Sequence, residues 1–285
     1  MDRDNTLTTA DMNIQVVGLC RFSFPSSGAF QIEHATIEER RDALYAPHRL
    51  AQRLAWFENA LVPSIMAQDD QNFTLIVLAG EDLPASYQQR LSMAAVAVPR
   101  LKIIYLPPGE HRKICHDVMK ASIDPAAEIV VQFRLDDDDA IARDYVATIR
   151  AETKRLAGFI QEADAVAFDH NKGLAVRYAG QQLDVERMQA QYWGCALAVA
   201  MMPTHPKMIL DYPHHRIWES IPTITYPQPV MYMRGIHDTN DSPAIHYTRN
   251  GQIQGGSGVK TLAKRFGIHA DALLSALIVA SQQTS

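Results

Sequence analysis

The chain contains no apolar run of about 18 residues, so no segment of it reads as a membrane-spanning helix. It also lacks a basic, then apolar leader, because Met1 to Met12 is polar and acidic. Cysteine is scarce: Cys20, Cys115 and Cys195 are three widely spaced residues without a CxxC pair. That spacing excludes a disulfide framework and a structural zinc, and fits a reducing compartment. There is no basic excess either, with Lys and Arg totalling 27 against 32 Asp and Glu and a net charge of −5. Such a balance gives no footprint for nucleic acid, so an anionic ligand must be held by a local patch or a metal. No glycine-rich phosphate loop follows the first predicted strand, and no repeat or low-complexity segment stands out. A cytoplasmic protein with at most peripheral membrane contact is the expectation. At 285 residues, 47% hydrophobic and 21% charged, the chain is an ordinary globular protein of one large or two small domains.

What is there centres on Glu128 to Asp139. Ile129, Val130, Val131, Phe133 and Leu135 form a β-branched, aromatic and aliphatic run of the kind that makes a buried strand. It ends in four consecutive carboxylates, Asp136 to Asp139. Ionised side chains this close repel one another, and a cation relieves the repulsion. In extended backbone Asp136 and Asp138 share a face and Asp137 points elsewhere. One reading is an oxygen-ligand site for Mg²⁺ or Mn²⁺ with a phosphorylated substrate, at the carboxyl end of a parallel strand. The other is that Asp138 and Asp139 cap a following helix.

Before that stretch the pattern alternates. Strands are predicted at 13–20, 73–79 and 101–106, and helices at 48–68, 84–97 and 109–122, with Pro63 bending the first helix. A helix is predicted from Ala140 to Phe159. The β-α-β-α-β-α-β-α order predicts a parallel sheet with helices on both faces. Arg21, in the loop after the first strand, is either an anion contact or a solvated arginine. Arg112 and Lys113 stand in the early turns of a helix, where cations are unfavourable, so they face a phosphate or an acidic neighbour such as Glu110.

After residue 160 the alternation stops. A hairpin is expected at 165–178 and a strand from Tyr192 to Met202, then a proline-rich loop to Pro229 that carries Trp218 and Glu219. A short strand, 229–234, precedes His237, Asp238, Asn240 and Asp241, the second concentration of polar side chains. Residues 250–258 read as a linker or a lid, and 259–281 as a final helix docked on the core.

Four stretches carry a resemblance: Arg21 to Pro25, Phe57 to Gln68, Arg134 to Ala140, and Met233 to Ser242. With them the sequence resembles GT-A glycosyltransferases and, among these, the bacterial putative rhamnosyltransferase family. The resemblance implies an α/β, Rossmann-like GT-A fold with a mixed, mostly parallel sheet flanked by helices and a loop-rich acceptor side. It implies a tail at 1–12, one domain at 13–250, and a flexible loop and helix at 251–285. Within the domain, 13–160 would bind the nucleotide-sugar and 161–250 the acceptor. It further implies transfer of a sugar, rhamnose in the family's name, from a nucleotide-sugar donor to a glycan or other hydroxyl acceptor. Asp136 would lie near the ribose or base, Asp138 would bind Mn²⁺ or Mg²⁺, His237 would complete that site, and Asp137 or Asp139 would add a water-mediated contact. Arg21 and Arg112 would contact the nucleotide.

The chemistry agrees, because expelling a nucleoside diphosphate requires positive charge at the leaving oxygens. An inverting reaction also needs a base in the second half, for which Glu219 and then Asp169 are the candidates. Trp193 or Trp218 would stack on a sugar ring or fill the core. Two other classes use similar parts: a metal-dependent nucleotidyltransferase or phosphatase, and a non-catalytic carbohydrate-binding scaffold on a degenerate fold.

Overall fold

The computed structural model describes residues 12–28, 35–238, 240, 248–252 and 257–283. The tail at 1–11, Asp241 and residues 253–256 of the expected linker at 250–258 therefore lie outside the described residues.

In chain order the first half contains β1 (Ile14–Arg21), β2 (Ser26–Ser27), α1 (Ile37–Leu44) and α2 (Pro47–Trp56), followed by a π-helical turn, Phe57–Leu61, and α3 (Val62–Met66). Then come β3 (Thr74–Gly80), α4 (Ala85–Ala97), β4 (Leu101–Leu106), β5 (Gly109–Glu110), α5 (His111–Ala121) and β6 (Ile129–Asp136). The second half has β7 (Asp139–Ile141), α6 (Tyr145–Arg155), α7 (Ala157–Ala163), β8 (Ala165–His170), β9 (Lys172–Tyr178) and β10 (Leu183–Gln189). β11 (Leu197–Met201), β12 (Thr223–Tyr226), β13 (Tyr232–Ile236), β14 (Thr248–Gln252), α8 (Ser257–Phe266) and α9 (Ala270–Ser281) complete it.

The expected mostly parallel sheet flanked by helices is present. Seven strands run in the order β12-β8-β11-β6-β1-β3-β4. β1 pairs in parallel with β3 and β6, and β3 with β4, while β11 runs antiparallel to both of its neighbours. Both faces are buried, which explains the largely apolar composition of β1, β3 and β6, interrupted by Gln15 in β1 and by Gln132 and Arg134 in β6. On one face Val17, Leu19, Val130 and Val199 meet Cys115 and Met119 of α5 and Met208 and Ile217 of the following loops. On the other, Phe133 meets Phe73 and Tyr145, and Phe57 packs edge-on against Phe22. Gly18 is required between these layers, since a Cβ there would meet the Phe133 ring. Among the described residues no helix is long and apolar enough to cross a membrane.

The second sheet, β14-β10-β9-β13-β7, explains where the sequence reading differs. Residues after the acidic run do not enter a helix at once: Asp139 to Ile141 pair with Tyr232 to Arg234 of β13, and the helix waits until Tyr145. The acidic run is thus the step from one sheet to the other. The strand expected from Tyr192 begins only at Leu197, because Tyr192 and Ala196 hold φ values of 55° and 57° that no strand accommodates. The helix expected over 48–68 is interrupted by the π-helical turn ahead of Pro63, and the final helix is split at Gly267, whose φ is +68°.

Candidate functional site

β1 and β6 run side by side and end together, with Arg21 opposite Asp136 in register. Their carboxyl ends open into a cleft of about 350 Å³. Among the described residues, seven arginines line its walls. Arg21 and Arg134 come from β1 and β6, Arg40 from α1, Arg49 and Arg53 from α2, Arg112 from α5 and Arg234 from β13. Among the described residues, the carboxylates lining it are Asp136 and Asp138 alone. Asp136 and Asp138 line the cleft and Asp137 and Asp139 do not, but Asp137 and Asp138 form a turn between β6 and β7 rather than the extended backbone expected.

Asp136 accepts from Arg21 Nη2 at 2.6 Å and keeps 30% of its side chain exposed. Burial raises its pKa, but Arg21 and Arg134 outweigh burial and hold it well below the usual carboxylate range. Arg21 also donates Nη1 to His111 Nε2 at 3.1 Å, and His111 Nδ1 meets Ser26 Oγ at 3.1 Å. Burial, helped by Arg21, lowers His111 to about 3, so this imidazole is neutral.

Asp138 is the most heavily bonded carboxylate. Its Oδ2 accepts from Arg53 Nη1 at 2.6 Å, from Asn240 Nδ2 at 2.6 Å and from His237 Nε2 at 2.9 Å. Burial pushes it up, yet Arg53 and His237 win and keep it ionised. Arg53 spans two carboxylates, since its other terminal nitrogen contacts Asp137 Oδ1. Asp137 and Asp139 are both buried. Burial raises Asp137 to about 6 against the pull of Arg53, and raises Asp139 well above the ordinary value, with Asp138 adding repulsion. His237 is set by its surroundings: its backbone N–H donates to Asn240 Oδ1 at 2.8 Å, and its ring stacks on Trp56.

The structure brings Arg21, Arg112, Asp136 and Asp138 to this cleft, with His237 bonded to Asp138 beside it. Glu219 and Asp169 are placed elsewhere. Glu219 sits beside exposed Trp218 and binds Arg216 Nε at 2.9 and 3.0 Å. Asp169 is the penultimate residue of β8, inside the protein, accepting from Tyr192 N–H at 3.0 Å and Thr225 Oγ1 at 3.1 Å. Burial raises it to about 6. It acts on the cleft at one remove, because the Tyr192 carbonyl accepts from His214 Nδ1 at 2.7 Å and His214 lines the cleft. Trp193 lies under the Arg234 guanidinium, 4.9 Å from ring centre to Cζ. A second cavity, about 590 Å³, opens beside His237, with Gln52, Arg177, Tyr178 and Asp238 on its walls.

A Mn²⁺ or Mg²⁺ ion wants several oxygen ligands, with waters or phosphates in the rest. Among the described residues no three His, Cys, Asp or Glu side chains converge to hold one. Asp136 is turned to Arg21, and Asp138 is already shared by Arg53, Asn240 and His237. This donor set does not fit a resident cation.

The family model described as putative rhamnosyl transferase matches residues 15–249. The chain belongs to that family. This rhamnosyl transferase family member is also similar to solved structures of S. aureus TarS 1-349. The TarS structure with UDP-GlcNAc has 14% identity over 82% of this chain and 62% of that chain, with a TM-score of 0.42. TarS 1-349 by itself has 13% identity over 79% and 60%, with a TM-score of 0.39. The chain therefore spans about three fifths of TarS 1-349. A putative nucleotide-diphospho-sugar transferase from Desulfovibrio desulfuricans G20 has 9% identity over 80% of this chain and 84% of that one, with a TM-score of 0.34. These likenesses are distant. No curated protein matches the chain.

Sequence reasoning missed Arg40, Arg49, Arg53, Arg134 and Arg234 as site residues, and placed Asn240 in a polar cluster without giving it a role. One sign was legible: Arg49 and Arg53 stand four apart on α2 among Leu50, Ala51 and Trp56, so they point inward with the apolar face.

Proposed function

We propose that this protein transfers a sugar, rhamnose by family, from a nucleotide-sugar to a hydroxyl of a glycan acceptor. The observation that carries the reading is the arginine-lined cleft over Asp136 and Asp138 at the carboxyl ends of β1 and β6. Open α/β sheets bind ligands there, and guanidinium groups match phosphate oxygens in charge and geometry. Asp136 is the carboxylate exposed enough to meet a ribose, and Arg21 and Arg112 flank the space for the diphosphate.

The acceptor is assigned to the second cavity, across His237 from the arginines. Tyr178, Gln52 and Arg177 give it a ring face and hydrogen-bonding groups suited to a saccharide. Asp238 is an exposed carboxylate on that wall, and we assign it the role of base, ahead of Glu219, which Arg216 holds on the surface, and Asp169, which is buried.

Thermal unfolding against UDP, GDP, dTDP and their sugar conjugates, each with Mn²⁺, with Mg²⁺ and with EDTA, tests the reading. A ligand at about 100 times its dissociation constant stabilises by about 2.7 kcal/mol. A shift with one base identifies the donor. No shift with any of them under any condition overturns the donor site and leaves the carbohydrate-binding scaffold.

A further inference from the structure

We propose that the cleft arginines, with Arg53 at their centre, carry the charge of the departing diphosphate, and that transfer needs no divalent cation. This rests on the transferase reading above. Among the described residues, seven arginines and two carboxylates, Asp136 and Asp138, line the cleft, so that lining carries more positive than negative side chains. A nucleoside diphosphate leaves with a charge of about −3, since the last phosphate ionisation lies near pH 6. The signs are complementary, and charges in a confined cleft interact strongly.

Arg53 is bonded to Asp138, the carboxylate expected to hold the ion. Its guanidinium contacts Asp137 and Asp138 at once, with 7% of its side chain exposed towards the cleft. The second carboxylate of the expected pair, Asp136, is held by Arg21. In the reaction the bond from the anomeric carbon to the diphosphate oxygen breaks, and its electron pair stays on that oxygen beside the arginines. The acceptor oxygen bonds to the anomeric carbon, and its proton passes to a carboxylate. The arginines act only through charge and hydrogen bonds, so no further reactant is required.

The test measures calorimetric binding of UDP, GDP and dTDP, and turnover of the matching nucleotide-sugar, with the full chain in EDTA and then in Mn²⁺ or Mg²⁺. Affinity and turnover equal within about twofold in EDTA and in metal are expected, as a metal-independent site requires. Binding or turnover that appears only with metal overturns this proposal and leaves the transferase reading standing. Binding of no nucleotide in either condition sinks the transferase reading itself. Arg53→Lys, which keeps the charge but not the two-pronged contact, and Arg112→Gln, an exposed position whose loss does not threaten folding, extend the test in EDTA. Each is expected to weaken nucleoside diphosphate binding by about tenfold or more. Unchanged affinity in both variants overturns the arginine assignment.

Discussion

Trp56 lies nearly flat on His237, with ring centroids 5.8 Å apart and 24° between their planes. One residue ends α2 and the other follows β13, so this single contact ties the first half of the chain to the polar cluster of the second. Trp56 is fully buried. Truncation there removes a large packed surface and the support of the imidazole together. Trp56→Ala is expected to cost about 3–5 kcal/mol in urea unfolding, and Trp56→Phe less, because a ring remains against His237.

Gly235 controls how closely β13 approaches the acidic turn. Its N–H donates to the Asp138 carbonyl at 3.0 Å, and a Cβ at this position would meet that carbonyl oxygen at 2.6 Å. Backbone cannot swing aside as a side chain can. Gly235→Ala should therefore destabilise by about 1–3 kcal/mol and lower nucleotide affinity by shifting Asp138. Gly158→Ala is the control. It sits in α7 with open space around the new Cβ, and its midpoint in the same urea titration should stay level or rise, by up to about 1 kcal/mol in stability.

Much of the first half was legible because period and composition agree there. β1, β3, β4 and β6 are mostly apolar stretches bounded by Pro, Gly or Asp, and their order has one simple solution, a parallel sheet. Asp136 and Asp138 do share the cleft, but by way of the turn at Asp137 and Asp138 and not by the two-residue period of extended chain. What the sequence hid depends on long-range pairing. β7 looks like the start of a helix, and only Tyr232 to Arg234, more than 90 positions later, make it a strand. Arg234 and Asn240 reach the site by the same pairing. The arginines were hidden for another reason. An arginine in a helical pattern reads as surface unless its carboxylate partner is known, and the partners of Arg53 lie 84 and 85 residues away.

The assignment of the base separates three carboxylates by place. Asp238→Asn is expected to lower turnover by about 10²–10⁴ with nucleotide affinity kept. Glu219→Gln, which loses only a surface pair with Arg216, should stay within about twofold of the parent in turnover. A full loss in Glu219→Gln with an active Asp238→Asn would return the base to the proline-rich loop.

Asp169 gives the chain a pH dependence of definite sign. Burial raises its folded pKa to about 6, while an unfolded aspartate titrates near 3.9. The folded state therefore binds the proton more tightly. Its contribution to stability is complete below about pH 3.9 and is lost as pH rises through about 6, a difference of about 3 kcal/mol. In Asp169→Asn the side-chain amide oxygen would still accept from the Tyr192 N–H, but the group has no proton to lose. Stability curves of Asp169→Asn and the parent from pH 4 to pH 8 should thus diverge in favour of the variant as pH rises. Because Asp136 and Asp138 titrate alike in both proteins, the difference isolates this one group. Parallel curves would mean that Asp169 is ionised in the folded protein across the range, and its place beneath Tyr192 and His214 would then be that of a fixed charge.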